Sequence, residues 1–395
     1  MSKNEVIDRV NVPLCICDST LGSGEQAAGT VFSSIEKYRI AQILNDAGVP
    51  QIEAGNPSLG PDEKKSVRHI ARMGLSSSIM SYNRAEESDI DASIDCGVDA
   101  VTIGFPASEI LIKNELKNEA SWVLDKVYDS AAHAVEHGLY TCVVAEDASR
   151  ADLGFLIEFA KAAKDAGADR LGYCDSYSMD DPFTCNERIK MLKQISGMEI
   201  EILARNDFGL AAANTFAAVK AGAKFARTTA MGLGPRAGCA ALEDVVMNAR
   251  HMLKIDTGID TTKLATVADA VSAASGIPVS PIKPFIGRKC YELESGILSD
   301  PACMEAFDPK EMGMERKLVV GKNSVRNTIL VALSKMNVND VSAEEGDQLL
   351  AMVRKASIMM HRSLSETEVL RLYEDMKVGN DPFDDGDDEL PSLAE

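Results

Sequence analysis

From Val12 onward, short apolar runs alternate with longer polar–apolar segments of helical period. VPLCIC precedes 33–47, PQIEA precedes 62–73, LSSSIMS precedes 86–96 and VDAVTIG precedes 119–137. YTCVVA then precedes 153–166, DRLGYC 182–195, EIEIL 208–221 and KFARTTA 237–252. Strand runs of this kind, each followed by one helix, predict parallel βα units. The phrases DAGVP, DCGVDA, DAGADR and KAGAKF place a glycine just past a helix, where a left-handed cap turns the chain back into the sheet. Eight units in about 240 residues, the size expected of that fold, predict a (β/α)8 TIM barrel over 1–255. The alternative, a doubly wound open sheet, lacks a G-x-G-x-x-G turn after its first strand.

Beyond the barrel the pattern changes. A helical segment is followed by a proline-rich connector around Pro278, Pro281 and Pro284, so 256–325 is expected to be a linker or subdomain. C-terminal helices are expected over 326–378, and an acidic, disordered tail over 379–395.

In a barrel the carboxyl ends of the strands form the site. Here those ends carry Asp18 to Gln26, Glu53 to Asn56, Tyr82 to Arg84, Glu146 to Arg150, Asp175 with Ser176, Arg205 to Asp207, and Met231 to Arg236. Converging carboxylates and arginines suit a small anionic ligand, with Arg84 and Arg150 as carboxylate clamps. The same residues would serve equally well as ion pairs stapling the barrel top. An alternating His-x-His at the seventh strand would begin a divalent-metal site. The sequence has Leu203 and Arg205 there.

Charge and cysteine use narrow the partners. A net charge of −20 disfavours nucleic acid and anionic membranes. The charged start MSKNEVIDRV lacks a leader's apolar core, and no apolar run reaches membrane-spanning length, so a cytoplasmic protein is expected. Nine cysteines without zinc-type pairs read as reduced thiols. None of the five histidines falls at a strand end; His133 and His137, at helical spacing, read as surface residues.

DSTLGSGEQAAG, IEAGNPSLG, AEDASRAD, CDSYSMDDPF, ARNDFGLAAANTFAAVKAGA, MGLGPRAGCAALEDVV, KIDTGIDTT, ESGIL and GKNSVRNTIL fall in one order along the chain. In that order they resemble the homocitrate synthase and isopropylmalate synthase family (DRE-TIM metallolyases), and within it the nitrogenase-associated branch. The resemblance runs from Cys15 to about Asn327. It implies a TIM barrel that dimerises through its C-terminal segments and condenses acetyl-CoA with a 2-oxo acid on a divalent metal. It also implies that Gln26, Glu53, Arg84, Arg150, Ser176 and Asn206 line the 2-oxo acid pocket, with Arg150 on the distal carboxylate.

At the family's catalytic positions the chain differs. The polarising arginine and the acidic metal ligand are Gly22 and Ser23, and the His-x-His pair is Leu203 and Arg205. Leu298 and Asn323 replace two further histidines, and Pro235 replaces an acidic residue. Three readings follow. The first is a non-condensing homologue that binds a 2-oxo acid or dicarboxylate, or that regulates or scaffolds a partner, as a homodimer or as a heteromer with an active homologue. The second is metal-independent acyl-transfer or aldol-type chemistry at the same rim, using Arg205 with Cys17, Cys174 or Cys239 as nucleophile. The third is residual homocitrate synthesis on a metal held by Asp18, Glu53 and Asp207. No cofactor is expected, and acetyl-CoA enters as co-substrate only if the family reaction survives.

Overall fold

The computed structural model describes residues 1–294 and 305–380. Eight parallel strands close into a barrel: β1 (Cys15–Asp18), β2 (Gln51–Glu53), β3 (Ser78–Arg84), β4 (Ala100–Pro106), β5 (Tyr140–Glu146), β6 (Arg170–Asp175), β7 (Glu199–Ala204) and β8 (Phe225–Thr228). Closure is made by β1 against β8, with Cys15 beside Phe225 and Asp18 beside Thr228. The predicted (β/α)8 barrel is therefore the fold. Gly48 and Gly97, at φ 87° and 78°, realise the repeated helix-to-strand phrase, since a residue with a Cβ resists that backbone.

Helices after the first six strands start within a residue of their expected positions; in the eighth unit the helix opens only at Leu242 rather than at 237, and the seventh unit also differs. The helix there is Ala211–Lys220, not one opening near Asp207. Asn206 Oδ1 accepts a hydrogen bond from the Ala211 amide (3.2 Å), and Gly209 turns the chain at φ 74°, so 206–210 form a polar turn. The N-terminal helix Lys3–Val10, closed by a Ser2–Glu5 capping box, was not anticipated. Its Val6 and Val10 pack into one buried cluster with Cys15, Cys17, Met80, Tyr140 and Phe225.

Two compact units are present. The first comprises Met1–Ser280 and Pro284–Ile286; the second takes Pro281–Lys283 and the described residues from Gly287 onward. In the second, the helices Arg326–Lys335, Ala343–Met360 and Glu366–Lys377 surround a core that includes Ile329, Leu333, Leu349, Val353 and Leu372. Leu298 and 381–395, most of the expected acidic tail, lie outside the described residues.

The barrel interior is unusually charged. Interiors of this fold are commonly filled by branched apolar side chains. Here Arg170, Glu201, Arg227 and Glu53, from β6, β7, β8 and β2, are all buried. Arg170 Nε and Arg227 Nε each donate to Glu201 (both 3.1 Å). Arg227 also donates to Thr102 Oγ1 (2.7 Å) and pairs with Glu53. Two guanidiniums against two carboxylates leave this interior electrically balanced, which is what makes buried charge tolerable.

Candidate ligand pocket at the barrel mouth

A cavity of about 320 Å³ opens above this network. Its lining includes Gly22, Ser23, Gln26, Glu53, Tyr82, Glu146, Cys174, Leu203, Arg205 and Arg227, drawn from strand ends and the loop after β1. Of the anticipated binding residues, Gln26 and Glu53 are in this lining. At Gly22 an added Cβ would overlap the Glu53 carboxylate, which Arg227 holds in place.

Arg84, Arg150, Ser176 and Asn206 are not in the lining. The Arg84 side chain is 67% exposed and forks onto Asp89 (2.8 and 2.9 Å). Arg150 is held by Asp147 (2.6 and 2.8 Å) and lies 4.3 Å from the Tyr177 ring centre. Arg236 packs on the same ring and binds Asp207 twice at 2.8 Å. These arginines are thus ion pairs of the barrel top. Ser176 Oγ accepts the Asp147 amide (2.8 Å), and Asn206 holds the turn described above.

Arg205 differs from the other rim arginines. Its one side-chain hydrogen bond among the described residues runs from Nη1 to the Cys239 sulfur (2.7 Å), and no described carboxylate pairs with it. The lining carboxylates have other partners. Glu25 and Glu63 grip the buried Lys37, Glu53 pairs with Arg227, and Glu146 accepts from Tyr82 Oη (2.6 Å).

Burial sets the protonation states. It opposes charge on Glu201, yet Arg170 and Arg227 outweigh it and hold the pKa down to about 2. Burial raises the pKa of Glu146 and pushes Asp18 up to about 7, against the hydrogen bonds from Thr20. It also pushes the Cys174 thiol up to about 11, raises that of Cys239 despite nearby Arg205, and raises Cys17 well above the usual range. All three thiols are protonated near neutrality, unlike an activated nucleophile. Cys17, on β1, lies in a buried cluster inside the barrel and is not in the cavity lining.

Among the described residues, no three His, Cys, Asp or Glu side chains cluster so as to hold a metal ion. The trio Asp18, Glu53 and Asp207 is accordingly not assembled; Asp207 is engaged by Arg236 and by Ser178 Oγ (2.9 Å). In the second unit, Asn323 hydrogen-bonds Glu294 through its backbone amide (2.8 Å) and its side chain (3.3 Å).

Sequence reading passed over Arg170, Glu201 and Arg227. The available signal was a charged residue in the middle of an otherwise apolar strand, as in EIEIL and KFARTTA.

Residues 13–271 match the HMGL-like family. The chain is 46% identical over 371 residues to 2-isopropylmalate synthase 2 of Caldanaerobacter subterraneus subsp. tengcongensis, covering 93% of this chain and 96% of that one. It is 41% identical over 367 residues to homocitrate synthase 1 of Nostoc sp., covering 92% and 97%. Among solved structures, the HMG-CoA lyase of Bacillus subtilis shares the fold at a TM-score of 0.63 and 17% identity, over 69% of this chain and 96% of that one. The barrel, the family match and these relatives together place the chain in the HMGL-like family, among the homocitrate and isopropylmalate synthases.

Proposed function

We propose that the barrel pocket binds a small carboxylic acid without condensing it with acetyl-CoA. The observation that carries this reading is Arg205: a guanidinium in the cavity lining, with no carboxylate partner among the described residues. A guanidinium offers a carboxylate two parallel charge-assisted hydrogen bonds. The donor set at the family's metal positions does not fit a divalent ion. Ser23 supplies one neutral oxygen, Leu203 none, and Arg205 a repelling charge. Arg205 takes over the role of positive partner to the ligand's carboxylate, while the Glu53–Arg227 pair forms the pocket floor. Without a Lewis acid the carbonyl of a 2-oxo acid is not polarised, so binding does not lead on to condensation.

The test is CoA-thiol release from acetyl-CoA with mono- and dicarboxylic 2-oxo acids, with and without magnesium, manganese or zinc, beside an authentic synthase. No release is expected, together with calorimetric binding of at least one acid that Arg205→Met abolishes. Metal-dependent turnover comparable to the control would overturn the proposal.

A further inference from the structure

The cavity lining carries two chemically unlike groups on different strands, the Arg205 guanidinium and the Glu146 carboxylate. Arg205 directly follows β7; Glu146 ends β5, two strands round the barrel, and Tyr82, which meets Glu146, stands on β3, four strands from β7. Tyr82 Oη donates to Glu146 Oε1 at the end of β5, and no described donor reaches Glu146 Oε2. Space for the pair comes from Gly104 on the intervening β4, where any Cβ would overlap both the Tyr82 hydroxyl and the Glu146 carboxylate. Glu53, another lining carboxylate, is committed to Arg227.

Resting on the reading of this cavity as a carboxylate site, we propose that it selects acids with one carboxylate and a far-end hydroxyl or ammonium. Arg205 holds the carboxylate; Glu146, steadied by Tyr82, receives the donor. A dicarboxylate of the same length brings a second carboxylate towards Glu146. That ligand end has no proton to give the waiting acceptor, so Glu146 Oε2 is left without a partner.

The experiment is calorimetric titration of the full chain with length-matched ligands: γ-hydroxybutyrate and γ-aminobutyrate against succinate, and δ-aminovalerate against glutarate. The donor-ended acids are expected to bind at least about tenfold more tightly than their dicarboxylate partners, within the range set by one buried polar group. Glu146→Gln keeps an oxygen for Tyr82 but removes the charge and adds an N–H donor, and should shrink the preference to less than about threefold. Thermal midpoints establish that the variant is folded; if it is not, the wild-type comparison decides alone. Dicarboxylates binding as well as or better than the donor-ended acids, or a preference unchanged in folded Glu146→Gln, would overturn this inference and leave the carboxylate reading intact. Absence of binding by every acid, in this panel and among the 2-oxo acids, would overturn both.

Discussion

Glu201 is a carboxylate sealed in the barrel between two guanidiniums, and each group is tolerable only because of the others. Glu201→Gln is expected to destabilise the fold by about 3–5 kcal/mol, because it leaves Arg170 and Arg227 sharing one fewer anion. Urea unfolding at neutral pH measures this directly. The pH dependence has a definite sign: the folded pKa, about 2, lies below the reference 4.5, so this stabilisation is complete above pH 4.5 and lost as pH falls through 2. Asp18 behaves in the opposite way. Its Oδ2 is buried with no described hydrogen-bond partner, and its pKa is raised from 3.8 to about 7. Its neutral form favours the fold below pH 3.8, and that advantage is lost as pH rises through 7. Asp18→Asn should therefore stabilise the protein at pH 8 by roughly 2–4 kcal/mol and far less at pH 4, read from urea midpoints at the two pH values. The rim carboxylates and arginines could be named from the sequence, but which of them face the cavity could not. Arg84 and Arg150 stand at strand ends just as Arg205 does, and only the nearby Asp89 and Asp147 divert them.

Period reveals elements when apolar positions are many, and fails when they are few. The strand–helix alternation was legible because the strands are buried on most of both faces and so written as short, largely apolar runs, broken only by a few polar or charged residues. The helix Lys3–Val10 has only Val6 and Val10 on its inner side, among charged neighbours, and the sequence signals it faintly through its capping box. Those two valines nonetheless pack beneath the barrel. Val6→Ala is expected to cost about 1–3 kcal/mol through the cavity it leaves, with no effect on ligand affinity at the opposite mouth; chemical denaturation and calorimetry check the two halves of that statement.

Across the molecule, the two compact units each enclose their own apolar core, one in the barrel and one among the C-terminal helices. Differential scanning calorimetry should resolve two unfolding transitions, and Leu349→Ala in the second core should lower one of them while leaving the other in place. The charge-balanced barrel interior bears on how the chain is made. Glu53 leaves the ribosome with β2, but its partner Arg227 arrives only with the last strand, 174 positions later. Until Arg170 is made with β6, a barrel closing early would have to enclose an unneutralised carboxylate, and Glu201 on β7 restores that excess until Arg227 arrives. Electroneutrality thus acts as a completion signal: the nascent chain has reason to stay open until its eighth strand is present.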